Sequence, residues 1–538
     1  MSWRASWQRL GPAVRSVSYL RPRQIAALVR HRARGPARVP ERIRSGGVEC
    51  VRLPEAFVGP SPEGTPDGNG GIALLGQPAH DPLRFGWNDS GDPLWDYTLH
   101  YHGWLNHPRV SFDSAVASVL DWMVDVQSGT GWEPYPTAMR LLHWLALLGR
   151  GGARLGTADL EAILGSMAAQ LEHLAANVEV HLDGNHVWTD CAALVACGLG
   201  LDGALPRALV ERWSPVLVDI VDDQVGSDGV HRERTPSYHC LLAEQLAIVV
   251  ALADARAPAL AVRLRPALER MIAITPVFMH PDGDVALWGD SQLGAQVTPR
   301  RLLARAGELP DPGGDIDAIR GGFARRSWGP WTLLWNIGGV GMDHQVGHIH
   351  GDCLAIELSL GGARVVVDAG TGTYVRGPER AYARSTAAHN TVTVGVGDPD
   401  QHELWASHRI GARAQPVELA GERYRLAGAV LGWQSKARHR REIAWDGREI
   451  AITDTVEPGD VPATVRYHVP AGVSLRETPQ GWVGFVAKGG AFEIACQDAA
   501  LVVTDAPGWS AMNVIAPRKC LAARLGPDGI TVRLRALK

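Results

Sequence analysis

Three stretches of the chain concentrate side chains that can move protons, bind anions or hold a metal ion. The first, "HQVGHIHGDCLAIELSL" (344–360), places His344, His348, His350 and Asp352 before a strand-like alternation of Leu354, Ile356, Leu358 and Leu360. Imidazole changes charge near neutral pH, so proton transfer is one use for such a stretch. Two ring nitrogens with one carboxylate also suffice for a zinc-like ion with open positions. Polar side chains satisfied at a sheet edge are the third reading, and these residues alone leave all three open. Asp368, His389 and Asn390 follow within forty positions.

The second stretch, "HRERTPSYHC" (231–240), carries Glu233, Arg234, Tyr238 and His239 on a loop that leads into a helix start. A nearby positive charge favours phenolate and would draw a tyrosine down from about 10. Half-buried packing is the ordinary role for a tyrosine there. In the third, "DGNHVWTD" (183–190), Asn185 and His186 open an apolar helix. Asn185 either caps that helix by accepting from its first amides, or joins His186 in donating hydrogen bonds to an anionic group.

Strand geometry sets conditions on any metal reading of His350 and Asp368. If "LSLGGARVV" turns through two residues, Gly361 and Gly362, then Asp368 falls opposite Ala355 and away from the face of His350. A three-residue turn through Ala363 puts it opposite Ile356, on the face of His348 and His350. His350 and Ile356 would still be about 20 Å apart in an extended chain. The chain before Cys353 must therefore bend back.

The elements that would position these residues are of two kinds. From about residue 110 to 280, apolar residues recur at helical spacing in seven segments bounded by Gly, Pro, Asp or Ser. After "LPDPGGDIDAIRGG" (309–322) the pattern changes to short alternating runs such as "WTLLWNI", "ARVVVDA", "EIAITDTV" and "ITVRLRAL", separated by turn residues. An all-helical half followed by an all-β half is expected. The divisions read as a basic segment and linker over 1–85, a helical domain over 86–308 and a sandwich or barrel over 322–538.

At 538 residues the chain exceeds one ordinary core, and 46% hydrophobic with 20% charged residues places it among globular proteins. A net charge of -4 supplies no basic field for nucleic acid. The first forty residues are rich in arginine without an acid. They suit a basic amphipathic helix packed on the body or lying against another surface, such as a membrane. They contain no apolar run of the kind a secretion signal needs, and no uninterrupted apolar stretch reaches membrane-spanning length. A cytoplasmic protein is expected, with periplasmic or cell-surface association left open. Seven cysteines without a CxxC pair indicate neither a disulfide framework nor a zinc ribbon. Among nineteen tryptophans, Trp87, Trp95 and Trp104 join Tyr97 and Tyr101 in an aromatic stretch, as core or as stacking platforms for sugar rings.

Six ordered blocks, "LWDYTLHYHGWL", "WEPYPTAMRLLHW", "GNHVWTD", "ERTPSYH", "HIHGDCLAIELSLGGARVVVDAGTGTY" and "RSTAAHNTV", span residues 94 to 394. In these the chain resembles the heparinase II/III-like polysaccharide lyases, which combine an N-terminal incomplete (α/α) toroid with a C-terminal antiparallel β-sandwich. The resemblance implies β-elimination on a uronate-containing acidic polysaccharide, glycosaminoglycan-like or a bacterial exopolysaccharide. It implies Asn185 and His186 at the uronate carboxylate, Tyr238 as proton donor and base candidate, and His348 as the other base candidate. Arg140, Glu233 and Trp132 would line the substrate cleft. His350, Asp368 and His389 match positions that hold a structural Zn2+. His143 stands where relatives often have Asn, and Ala369 where Pro is common; neither removes a proposed catalytic group. A catalytically weak or inactive polysaccharide-binding protein of surface-polysaccharide biosynthesis is the alternative. Monomer and homodimer are both compatible with the sequence.

Overall fold

A computed structural model describes residues 3–34, 47–87, 90–307, 319–486 and 490–537. Seven helices occupy the seven periodic segments: Phe112–Asp125, Pro134–Gly151, Thr157–Asn177, Gly184–Gly200, Ala204–Gln224, Pro236–Arg256 and Pro258–Ile274. Two of them are apolar around nearly their whole circumference, the mark of an interior helix. Pro134–Gly151 buries every residue from Tyr135 to Leu148, and Gly184–Gly200 buries every residue except His186. These two pack against each other, with Ala204–Gln224 beside the second. Turn residues set the boundaries, as where Asp183 caps Gly184–Gly200 by accepting from Gly184 N–H at 3.0 Å.

The chain resolves into two compact units, one of residues 21–226 with 241–271, the other of residues 1–20, 227–240 and 272–538. The first is helical. The second holds antiparallel sheets, so the C-terminal half is β as its alternating runs indicate. The units do not follow simple chain order, because residues 280–290 run over one face of the strand Ala355–Leu360. There Glu357 accepts from Leu287 N–H at 2.6 Å and pairs with His280 at 2.8 Å, and Ser359 meets the other ring nitrogen of His280 at 2.8 Å.

In the β unit an eight-stranded sheet shares one apolar core with two four-stranded sheets. One four-stranded sheet runs Phe323–Trp328, Trp331–Asn336, Ala355–Leu360, Ala363–Val366; the other contains Ala463–Pro470 and Val392–Val394. Val367 N–H donates to the carbonyl of His468 at 2.9 Å, linking the two. Strands of the large sheet, such as Arg438–Trp445, alternate between buried and part-exposed, as expected when only one face is covered. Trp331–Asn336 and Ala355–Leu360 are buried at every position. Their second face is where polar groups collect.

Of the two conditions set by strand geometry, the bend is present and the pairing of Asp368 with Ile356 is not. The turn is the two-residue one, with Leu360 opposite Ala363, but a bulge follows and Leu358 pairs with Val366. The pairing ends there: Val367 N–H goes to His468, while Ile356 N–H bonds to the carbonyl of Asn390 and its own carbonyl accepts from Asn390 Nδ2 at 2.9 Å. Asn390 and not Asp368 therefore lies beside Ile356. The chain before Cys353 does turn, with Ile349 N–H bonding back to the carbonyl of Val346 at 3.3 Å. It turns again through Cys353 and Leu354, where Ala355 N–H bonds to the carbonyl of Asp352 at 3.1 Å and Leu354 takes a left-handed φ of 62°.

The basic N-terminal segment forms two helices, Trp3–Ser18 and Pro22–Arg34. The first is held within the β unit, where Ser16 donates to the carbonyl of Ile410 and accepts from Trp405 Nε1. The second is held within the helical unit by Arg23 donating to Asp183 at 3.0 Å. All seven cysteines are free thiols. Among the described residues one helix, Pro236–Arg256, is long and apolar enough to cross a membrane, and 67% of its most apolar window is buried inside the structure.

Candidate functional site

Within the β unit, the loop 231–235 delivers Tyr238 on the first turn of the helix Pro236–Arg256. Arg234 has a φ of 56° and is spent on holding that loop. It donates to the carbonyls of Gly321 and Gly322 and to Asn336 Oδ1, with its guanidinium 4.4 Å over the ring of Phe323. His239 also turns away, accepting from His231 N–H at 3.2 Å and meeting Thr275 at 3.4 Å. The sequence reading set Arg234 and His239 beside the Tyr238 phenol. Instead the ring of Tyr238 stacks on His348 with centroids 4.0 Å apart, and its hydroxyl lies 3.2 Å from that of Tyr374.

His348 is anchored from below by a residue that sequence reasoning missed. Its Nδ1 lies 2.8 Å from Asp290 Oδ2, and the other oxygen of Asp290 lies 2.8 Å from His350 Nε2. Arg380 donates to both carboxylate oxygens and Thr371 adds a hydroxyl at 3.3 Å. Asp290, His350 and Arg380 are all buried. Burial alone would raise the carboxyl. The charge of Arg380 and the hydrogen bonds of His348 and His350 outweigh it, and Asp290 is held well below the usual carboxylate range. Glu233 Oε2 is 3.8 Å from His348 Nε2. Tyr374 stacks near Arg380, whose guanidinium is 5.0 Å from the ring centroid. No local pattern in "WGDSQ" or "PERAYAR" advertises Asp290 or Arg380; only folding brings them together.

The three residues implied as metal ligands are brought near one another. The rings of His350 and His389 are 5.5 Å apart, and His389 Nδ1 lies 2.6 Å from Asp368 Oδ2. Three buried atoms in this group have no hydrogen-bond partner among the described residues: His350 Nδ1, Asp368 Oδ1 and His389 Nε2. Two imidazole nitrogens and a carboxylate oxygen are a donor set that suits zinc, and buried polar atoms are normally satisfied. As they stand, however, no three His, Cys, Asp or Glu side chains among the described residues are grouped so as to hold an ion. The chemistry of the orphaned atoms fits a metal; their present arrangement does not yet enclose one.

Within the helical unit, Asn185 is the second residue of its helix and Asp183 is the cap, so capping does not account for Asn185. His186 points its Nδ1 at Glu179 Oε2, 2.8 Å away, and lies against Tyr135 with centroids 4.7 Å apart. Arg140 is fully buried. It donates to Gln170 Oε1 and to the carbonyls of His100 and Gly131, and lies 3.9 Å over Trp122. Trp132 is buried as well, donating to the carbonyl of Val126 at 2.9 Å. Both sit in the interior of their unit. Trp87, Trp95, Tyr101 and Trp104 are likewise core.

Comparison with known proteins agrees with this architecture. The family model described as heparinase II/III N-terminus matches residues 132–309, and the heparinase II/III-like C-terminal model matches residues 311–511. The chain belongs to the heparinase II/III-like family. A crystal structure of heparinase III superposes with a TM-score of 0.66 at 16% identity, over 85% of this chain and 80% of that one. Heparan sulfate lyase HepC from Pedobacter heparinus gives 0.54 at 14% identity, over 87% and 80%. At such identities the likeness is one of fold. No curated protein matches the chain.

Proposed function

We propose that the protein is a polysaccharide lyase that cleaves a uronate-containing glycan by β-elimination. The observation that carries this reading is the stacked Tyr238–His348 pair, with His348 oriented from behind by a buried carboxylate. Family membership makes polysaccharide lyase chemistry the first reaction to test on that pair.

In β-elimination a proton leaves the carbon next to the uronate carboxylate, and the glycosidic oxygen leaves from the neighbouring carbon. The first proton is weakly acidic, so the enolate-like intermediate needs stabilising donors. Asn185 and His186 are proposed for that role, where a preorganised donor typically contributes a few kcal/mol. His348 is the base candidate, and the Tyr238 phenol returns a proton to the leaving oxygen or serves as base itself. Groups of this kind contribute roughly 10²- to 10⁴-fold each. Glu233 is proposed to contact substrate beside them.

We further propose that His350, Asp368 and His389 hold a Zn2+ ion. Their three orphaned buried atoms support this. When bound, such an ion would fix the architecture behind His348 instead of entering the reaction.

The test is an assay of wild type and Tyr238→Phe against a panel of uronate polymers. Elimination creates an unsaturated sugar with new ultraviolet absorbance. Wild type is expected to generate it, and Tyr238→Phe to bind the polymer without turnover. Binding by wild type without new absorbance refutes the lyase reading for those polymers and favours a polysaccharide-binding protein.

A further inference from the structure

Asp290 has two oxygens, and both accept. Arg380 supplies two N–H groups, Thr371 a hydroxyl and the two imidazoles one nitrogen each, at 2.8 Å on opposite oxygens. A carboxylate surrounded in this way has no proton of its own to offer. Each ring nitrogen that faces it must therefore be the protonated one. The two histidines present different atoms to Asp290: His348 its Nδ1, His350 its Nε2.

We propose that Asp290, gripped by Arg380, is a positioning residue that fixes opposite tautomers on His348 and His350. Neutral His348 carries its proton on Nδ1, so its Nε2 becomes the lone-pair nitrogen on the side of Glu233. Neutral His350 carries its proton on Nε2, so its buried Nδ1, which has no hydrogen-bond partner among the described residues, becomes the lone-pair nitrogen. One carboxylate thereby prepares a proton acceptor on one histidine and a ligand atom on the other. The catalytic consequence rests on the lyase reading; the tautomers do not.

Surrounding structure keeps Asp290 in this position. Its N–H bonds to the carbonyl of His348 at 3.1 Å, and Gly289 N–H to Asp352 Oδ2 at 2.9 Å. Backbone and side chain of residue 290 thus grip the same histidine from two directions.

The experiment is nitrogen NMR on the full-length protein labelled with 15N-histidine, the two rings assigned by their loss in His348→Gln and His350→Gln. Protonated and unprotonated ring nitrogens resonate far apart, so each tautomer is read directly. The expected result is an Nδ1–H form for His348 and an Nε2–H form for His350. An Nε2–H form of His348, or an Nδ1–H form of His350, overturns the proposal.

Asp290→Asn makes a sharper demand. An amide offers one accepting oxygen and one donating nitrogen, so at least one ring must change tautomer; if both keep the wild-type form, the proposal is wrong. Asp290→Glu retains two accepting oxygens and is expected to keep both forms. On a polymer that wild type cleaves, Asp290→Asn should lower kcat roughly 10²- to 10⁴-fold with little change in KM, and Asp290→Glu should recover part of that loss. A purely structural role would lower stability in both variants without separating them by tautomer or by kcat. If wild type cleaves no uronate polymer, the lyase reading fails while the tautomer measurement still decides this one.

Discussion

The buried polar residues of the β unit differ in what they leave unsatisfied. Asp290 meets donors on both oxygens, whereas His350 Nδ1, Asp368 Oδ1 and His389 Nε2 lack partners among the described residues. Burial pushes His350 down to about 4, so its ring is neutral at pH 7 and able to bind a metal. At His389 burial acts in the same direction, but the charge of Asp368 outweighs it and raises the value. Elemental analysis of purified protein is expected to find zinc in wild type and little in His350→Ala or Asp368→Ala. Equal content in all three, or none in any, would remove the metal proposal. At this scale Tyr238, His348, His350, Asp368 and His389 stand out in the sequence because reactive residue types cluster there. Asp290, Arg380 and Tyr374 do not, because the contacts that matter are distant in the chain: Asp290 is 58 positions from His348 and 90 from Arg380, and Tyr374 is 136 from Tyr238.

Among the elements, the segment ending at Asp290 is irregular and tightly constrained. Gly289 has a φ of +56°, and a Cβ there would come within 2.5 Å of the carbonyl of His348. Gly289→Ala is therefore expected to destabilise the protein by about 1–3 kcal/mol. It should also displace Asp290, lowering turnover more than the stability loss alone explains. Chemical denaturation and kcat together check this; an unchanged midpoint with unchanged kcat would show the segment free to shift. The seven helices and the alternating runs are legible because their periods of 3.6 and 2 record which face is buried. The bulge between Ser359 and Leu358 is not legible, since nothing in "LSLGGARVV" distinguishes a longer turn from a short turn with an extra residue after it.

For the whole molecule, burial of neutral histidines sets the response to acid. Desolvation lowers His100, His143, His231, His402 and His408 to about 3 each. The unfolded chain binds protons at these rings near 6.5 while the folded chain refuses them. Their contribution is therefore full above about pH 6.5 and is lost as pH falls. Glu63, raised by burial to about 7, and Asp352, raised by burial to about 6, act in the opposite direction, but with fewer groups and smaller shifts. Below about pH 4 the depressed carboxyls add to the loss: Asp290, and Asp454 at about 2, whose burial is outweighed by Arg441 and His439. The thermal midpoint should fall steadily from pH 7 to pH 5 and more steeply below 4. A flat midpoint between pH 7 and 5 would mean that these rings are not buried neutral.

By itself the sequence determines the order of a helical region and an antiparallel β region, the family, and most of the residues with reactive side chains. Periodicity and residue type are local properties, and each is written within a few turns of chain. Only the tertiary structure decides which partner each reactive group receives. It turns Arg234 and His239 away from Tyr238, gives Arg140 and Trp132 to the helical interior, and brings Asp290 and Arg380 beneath His348. Hydrogen bonds and charge pairs act over a few ångströms in space. When folding joins residues from opposite ends of a unit, no spacing along the chain records the contact.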